Sequence, residues 1–296
     1  MAADRPAAGA RLALRPARST APHPQGVLFV KRHEFLRELH KVSANRNYLE
    51  IGVNDGRSLT LSRVPSIAID PAFKVVSELR CDVHLVKATS DDFFARENPL
   101  QHLKGGRHPL RNLRRGRSPI GYWRRTTLDL SFIDGMHLFE FALRDFMNVE
   151  KYSDWGSVIV LDDMLPRSVD EAARDRHTNA WTGDVYKITE VLARYRPDLV
   201  TVQVDTAPTG QLVVFGADPD NRVLHDKYDE IMAEYKVPDP QKVPEAILER
   251  AGAVRPETLL EAGFWRPLAQ ARNRGLPRSI GWEPLRRSLE QVGVSR

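Results

Sequence analysis

Short apolar runs alternate with amphipathic stretches along most of the chain. The runs predict five strands, at Tyr48–Gly52, Ser66–Ile69, Val83–Val86, Leu128–Ile133 and Gly156–Leu161. Apolar residues at helical spacing predict helices over Val27–Val42, Leu138–Val149 and Val185–Tyr195, and a further helix starting at Arg57. Strands that alternate with helices predict a mainly parallel sheet with helices on both faces.

Two more apolar runs follow, and they are joined differently. Val200–Val204 and Gln211–Phe215 are separated by only six residues, 205–210. This connection is too short for a crossover helix, so the two strands are predicted to pair antiparallel as a hairpin.

The two ends of the chain depart from this alternating pattern, which occupies residues 27–218. Residues 1–26 are rich in Ala, Arg and Pro with Asp4 as their single acid, which predicts a disordered tail of the kind common in high-GC bacterial proteins. A mitochondrial transit peptide has a similar composition, whereas a secretory signal would need an apolar core. Residues 219–296 are predicted to form a helical extension. Its helices are expected near Leu224–Tyr235, Pro244–Ala251 and Pro256–Gly263, with a basic, peripheral tail from Trp265.

Composition narrows the class of protein. The 296 residues are 42% hydrophobic, which is enough for a core, but no run of about 18 apolar residues would span a membrane. Cys81 is the single cysteine, so an internal disulfide is excluded. These features predict a cytoplasmic protein.

Positive charge is concentrated in one segment, which we call the basic insertion (residues 97–126). It carries eight Lys and Arg residues against one acid, Glu97, in a chain whose net charge is +5. Its position before the fourth strand is compatible with a clamp for a negatively charged small molecule. Basic residues beside Tyr122 and Trp123 would also suit RNA, and a solvated loop is the simplest alternative.

Residues suited to a nucleotide-like ligand follow three consecutive strands. Gly52, Asn54 and Gly56 form a turn after the first strand, and Glu50 within that strand could hold a cationic amino group. Asp70 ends the second strand, where an acid commonly binds a ribose diol. Ser90 and Asp91 follow the third strand and could reach an adenine edge.

Four stretches carry a resemblance to a known family. These are Tyr48–Gly56, Asp70-Pro71, Phe132–Asp145 and the strand ending in Asp162-Asp163. Over roughly residues 45–216 the chain resembles the class I methyltransferases that use S-adenosylmethionine (SAM). It is most similar to the small-molecule O-methyltransferases related to macrocin O-methyltransferase and to the catechol type. Asn54 departs from the family pattern, in which a middle glycine is common.

The resemblance implies a fold and a cofactor. The fold would be α/β: a Rossmann-like three-layer sandwich with a seven-stranded, mostly parallel sheet ending in an antiparallel hairpin. That hairpin is typical of methyltransferases and is absent from typical nicotinamide-dependent oxidoreductases, which are therefore disfavoured.

Three carboxylates are expected to meet at neighbouring strand tips. Asp134 follows the fourth strand and Asp162-Asp163 follow the fifth, so the three would repel one another without a cation. Oxygen ligands suit a hard divalent ion such as Mg²⁺, and in the macrocin-type relatives the corresponding trio holds the metal. His137 stands where the catechol type has a lysine thought to act as base, so Asp134 and His137 are the candidate catalytic residues. The alternatives are a simple turn or a metal-free contact with SAM at Asp134, a helix cap at Asp162-Asp163 and a structural hydrogen bond at His137.

These observations predict a SAM-dependent, metal-assisted methyltransferase. Its acceptor would be a hydroxyl of a small molecule such as a natural product, a sugar or an acidic glycoconjugate. The alternatives are an RNA methyltransferase that uses the basic insertion and a non-catalytic SAM-binding protein. We do not expect nucleic acid or membrane as a partner, while a homo-oligomer is compatible with the sequence.

Overall fold

The computed structural model describes residues 30–104 and 126–293. The predicted tail at residues 1–26 lies outside the described residues, as do residues 105–125 of the basic insertion.

A seven-stranded sheet forms the centre of the molecule. Its strands are β1 (Tyr48–Ile51), β2 (Ser66–Ile69), β3 (Val83–Val86), β4 (Leu130–Ile133), β5 (Val158–Asp162), β6 (Val200–Val204) and β7 (Gln211–Phe215). Their order is β3-β2-β1-β4-β5-β7-β6, and only β7 runs antiparallel, to both β5 and β6. The predicted α/β fold, with its mostly parallel sheet and terminal hairpin, is confirmed.

Alternating side chains divide the core into two layers. In β5, Val158 and Val160 pack on one face of the sheet, and Ile159 and Leu161 pack on the other. All five β5 positions are buried, which is why the strand reads as an unbroken apolar run in the sequence.

Helices cover both faces. They are α1 (Arg32–Ser43), α2 (Ser90–Phe94), α3 (Gln101–Lys104), α4 (Phe139–Glu150), α5 (Lys187–Tyr195), α6 (Val223–Asp226), α7 (Tyr228–Tyr235), α8 (Glu245–Leu248), α9 (Pro256–Leu260), α10 (Trp265–Arg274) and α11 (Arg278–Gly293). Residues of α4, α5 and α7 fill one core layer, which we call the first core layer. Residues of α1 and α9–α11 fill the other, which we call the second core layer. Among the described residues, no helix combines the length and apolar character needed to cross a bilayer.

The helix predicted to start at Arg57 is largely absent. The segment contains a single 3₁₀ turn, Leu59–Leu61, after which Ser62 is already extended. Pro65 stands immediately before β2 and disfavours helical backbone at the residue preceding it. The connection from β1 to β2 is therefore mostly loop.

The segment from Trp265 is not peripheral, so that prediction is wrong. Trp265, Leu268 and Trp282 are each less than 8% exposed and belong to the second core layer. Glycines allow this close packing: a Cβ on Gly281 of α11 would lie 2.2 Å from the Trp155 ring, and one on Gly216 after β7 would lie 2.3 Å from the Trp282 ring. The two C-terminal helices thus complete one face of the sheet.

Candidate active site

A cavity of about 1060 Å³ opens at the carboxyl ends of the parallel strands. Near β1–β3 it is lined by Gly52, Asn54, Asp70, Ser90 and Asp91. Near β4, β5 and the hairpin it is lined by Arg32, Asp134, His137, Asp163 and Trp181. Most of the residues singled out in the sequence therefore meet in one space, which is large enough for two small ligands.

The turn after β1, residues 52–56, has a left-handed backbone at three positions. Gly52 has φ +89° and Gly56 φ +81°, while Asn54 has φ +46°. A Cβ on Gly52 would lie 1.8 Å from the carbonyl oxygen of Asp134, so glycine is required by the neighbouring strand tip rather than by a ligand. Asn54 lines the cavity, and asparagine tolerates this backbone conformation better than most side chains do.

Asp70 organises this turn. One of its carboxylate oxygens accepts backbone N–H groups from Val53 at 2.9 Å and Asn54 at 2.8 Å, and the other accepts from Ala72 at 2.6 Å. The carboxylate still lines the cavity, so it combines a structural role with a position suited to a ribose diol.

Asp145 adds a carboxyl group that was not among the residues predicted for the cofactor site. It is 3% exposed, accepts a hydrogen bond from the Ser90 hydroxyl and lines the same part of the cavity as Asp91. Burial raises the pKa of Asp145 to about 7, against a smaller lowering by the Ser90 hydrogen bond. Asp91 itself pairs with Arg144 at 3.0 Å.

Glu50 and Gly56 are not brought into the cavity. The Glu50 carboxyl is fully buried and accepts hydrogen bonds from the hydroxyls of Tyr48 at 2.7 Å and Ser58 at 2.6 Å. Burial raises its pKa to about 8, against these two bonds. Gly56 packs beside Val75 instead. The structure therefore offers no contact between Glu50 and a ligand amino group.

Asp134, His137 and Asp163 form a compact group, which we call the ligand triad. Each of the three residues offers one oxygen or nitrogen atom that could bind a metal ion, and these atoms lie within 4.8 Å of one another. Nε2 of His137 is 3.5 Å from Asp134 Oδ1, and Nδ1 is 3.1 Å from Asp163 Oδ2. Thr209 in the hairpin turn donates its hydroxyl to Asp163, so the hairpin helps to fix the group.

His137 is held by the loop before α5. Its ring stacks on Trp181 with a centroid distance of 5.2 Å, and Nδ1 donates to the Trp181 carbonyl oxygen at 2.7 Å. Burial lowers the pKa of His137, but the Asp134 hydrogen bond and the charges of Asp163 and Asp134 outweigh it and raise the pKa to about 9. The raised pKa favours the protonated form of the imidazole beside these two carboxylates, and the base role of His137 stays a prediction.

The third predicted metal ligand, Asp162, is arranged differently. Its side chain is 1% exposed and pairs with Arg32, which also lies 3.4 Å from Asp134 Oδ2. Burial, followed by the charges of Asp134 and Asp163, raises the pKa of Asp162. Among the described residues, Asp162 is left out of the ligand triad.

The residues present fit a hard divalent cation. The ligand triad offers carboxylate oxygens and an imidazole nitrogen, a donor set that suits Mg²⁺ or Mn²⁺. The His137 Nδ1–H bond to the Trp181 carbonyl is the kind of support that orients a ligating imidazole.

Sequence reasoning missed the contacts of Arg32 and Trp181. Arg32 is separated from Asp162 by 130 residues. No local pattern pairs Trp181 with His137, from which it is separated by 44 residues.

Solved structures show similar folds at low identity, whereas no protein-family model and no curated protein matches the chain. The O-methyltransferase from Bacillus cereus in complex with S-adenosylhomocysteine (SAH) is 16% identical, over 62% of this chain and 80% of that chain, with a TM-score of 0.36. The O-methyltransferase TomG from Streptomyces achromogenes, in complex with SAM, is 17% identical over 63% and 80%, with a TM-score of 0.38. The SAH-bound Podospora anserina methyltransferase PaMTH1 is 10% identical over 63% and 78%, with a TM-score of 0.38.

Proposed function

We propose that this protein transfers the methyl group of SAM to a hydroxyl oxygen of a small molecule, with help from a divalent cation. The observation that carries the proposal is one cavity lined both by Asp70 and Asp145 and by the ligand triad. A donor and an acceptor could therefore occupy adjoining parts of one space.

The negative charge of the cavity suits SAM as the methyl donor. Asp70, Asp91 and Asp145 line the part near β1–β3, and the carboxylates of Asp70 and Asp91 favour a ligand that carries a sulfonium and an ammonium group. The Asp70 carboxylate and the turn at residues 52–56 would hold the ribose, and Ser90 and Asp91 would contact the adenine edge. Glu50 is not part of this proposal because its carboxyl faces Tyr48 and Ser58.

The part of the cavity lined by the ligand triad suits an acceptor that carries a hydroxyl group. Asp134, His137 and Asp163 would hold the divalent cation, and Trp181 would hold His137 in place through its ring and carbonyl. A bound cation would lower the pKa of a nearby hydroxyl, so that the hydroxyl could lose its proton to water without a strong base. The oxygen would then form a bond to the methyl carbon as the bond from that carbon to the SAM sulfur breaks, which leaves SAH. His137 would have to give up its proton to bind the cation, so cation binding is expected to weaken as the pH falls.

Calorimetry and a transfer assay test the proposal on the full chain. We expect SAH to bind and NAD not to bind, and radiolabelled methyl to pass from SAM to members of a panel of catechols and sugars in the presence of Mg²⁺. Asp134→Asn should reduce transfer about 100-fold or more, because it removes a group beside the reacting oxygen, and should change the SAH dissociation constant by less than about threefold.

Asp55→Asn is the matched control. Asp55 lies in the same turn as Asn54 but pairs with Arg57 at 2.9 Å and is outside the cavity lining. This variant should keep both binding and transfer. Tight binding of NAD in place of SAH, or full transfer by Asp134→Asn, would contradict the proposed function.

A further inference from the structure

Arg32 is fixed in place by the backbone around it. It is the first residue of α1, and its N–H donates to the carbonyl oxygen of Ala207 at 3.1 Å, while the Ala207 N–H donates to Val30 at 3.0 Å. The start of the helix is thereby tied to the hairpin turn. The Arg32 side chain, 32% exposed, projects from this point onto the tips of β4 and β5.

The negative charge of the buried Asp162 carboxylate is balanced by the guanidinium of Arg32. One carboxylate oxygen contacts the guanidinium, and the other is buried without a hydrogen-bond partner within residues 30–104 and 126–293. A buried carboxylate with one unpaired oxygen is a strong potential ligand for a cation. Arg32 is the neighbouring positive charge that acts on it most directly, and the charge of Asp162 is the main cause of the raised pKa of Arg32.

Asp134 is shared between two positive groups. Its Oδ2 faces Arg32 at 3.4 Å, and its Oδ1 faces His137 at 3.5 Å. Arg32 Nη1 therefore contacts the Asp134 oxygen that does not face His137, together with the Asp162 carboxylate.

We propose that Arg32 withholds Asp162 from the divalent cation and thereby sets the strength of cation binding, an inference that rests on the cation in the proposed function. The guanidinium engages the carboxylate that would otherwise be a further ligand, and its positive charge opposes a second cation nearby. With fewer protein carboxylates on the cation, coordination positions stay open for water and for the acceptor oxygen.

Isothermal calorimetry with Mn²⁺ tests this on the full chain in the presence of SAH. Arg32→Gln frees Asp162 and removes a positive charge, so it should bind Mn²⁺ about tenfold or more tightly than the wild type. Arg32→Lys keeps the charge and should stay within about threefold of the wild type. The double variant Arg32→Gln/Asp162→Asn should lose the gain, because the freed carboxylate is gone.

A second pair of variants does not depend on the folding of Arg32→Gln, which leaves Asp162 buried and unpaired. The double variant Arg32→Gln/Asp162→Asn should change the Mn²⁺ dissociation constant by less than about threefold relative to the wild type, because Asp162 is not a ligand in the wild type and both charges of the pair are removed together. Asp163→Asn should weaken Mn²⁺ binding about tenfold or more, because it removes a ligand. Strong loss of binding in Arg32→Gln/Asp162→Asn would overturn the inference.

The outcomes separate this inference from the cation in the proposed function. If the wild type binds no Mn²⁺ and Arg32→Gln does, Arg32 is confirmed as the withholding group and the cation in the proposed function fails. If the wild type binds Mn²⁺ and Arg32→Gln binds it equally or more weakly, the inference about Arg32 fails and the cation in the proposed function is supported. If neither binds, both are overturned.

Discussion

Asp145 is a buried acid whose ionisation opposes folding. Its pKa is raised to about 7 by burial, whereas an aspartate in an unfolded chain titrates near 3.8. Between these two values the native state holds a proton that the unfolded state has released. The native state is therefore progressively disfavoured as the pH rises from about 4 to about 7.

Asp145→Asn removes this pH dependence. We expect the free energy of unfolding of the variant, relative to the wild type, to grow by roughly 3 kcal/mol between pH 5 and pH 8. Urea unfolding of both proteins at the two pH values measures this difference. A difference that does not change with pH would mean that burial does not raise the pKa of Asp145.

The positions of the site residues could be predicted from the sequence better than their partners. Asp70, Asp134 and Asp163 line the cavity because each follows a parallel strand, and strand tips converge. The contacts of Arg32 could not be predicted in this way, since its partners lie 102 and 130 residues further along the chain. Glu50 was misplaced because a strand residue can face either side of the sheet, and here it faces the hydroxyls of Tyr48 and Ser58.

At the scale of elements, the fully buried strands were easier to predict from the sequence than the helices with one exposed face. β4 and β5 are buried at every position, so their apolar runs stand out. The hairpin was predictable because its connection is too short for a helix. In contrast, α10 and α11 carry many charges on their exposed faces, and these hid the spaced apolar residues Trp265, Leu268, Trp282, Leu285 and Leu289 that pack on the sheet.

The packing of α11 depends on Gly281. Alanine usually stabilises a helix by about 1 kcal/mol relative to glycine, but here its Cβ would lie 2.2 Å from the Trp155 ring. That ring is fixed, because its Nε1–H donates to the Leu276 carbonyl at 3.0 Å. We therefore expect Gly281→Ala to lower the free energy of unfolding by about 1–3 kcal/mol, as measured by urea denaturation.

Gly263→Ala provides the matched control for this contact. A Cβ on Gly263 would meet no atom within 4 Å, so the substitution should change stability by less than about 0.5 kcal/mol. If Gly281→Ala were as stable as the wild type, α11 would not be seated on Trp155 as described.

At the scale of the whole molecule, the division at residue 218 that the sequence suggested becomes a testable proposal. The second core layer contains Val254, Leu259, Trp265, Leu268 and Trp282, all beyond that point. A chain that ends at Asp218 would lack these residues and would expose their packing partners in the same layer, including Phe215 and Trp155. Such a chain is expected to unfold without cooperativity and to bind the dye ANS.

Thermal unfolding followed by near-ultraviolet circular dichroism, with the full chain as control, measures this effect. A cooperative transition of the shortened chain close to that of the full chain would establish residues 27–218 as an independent domain and contradict the expectation.

The contact between Gly52 and the Asp134 carbonyl has a consequence for the reaction as a whole. Because the backbone that would cradle the methyl donor touches the backbone that would position the acceptor, neither can shift alone without moving the other. Under the proposed function, the span that the methyl group would cross is then set by the sheet itself, and exchange of peripheral loops would alter which molecules enter while leaving that span unchanged.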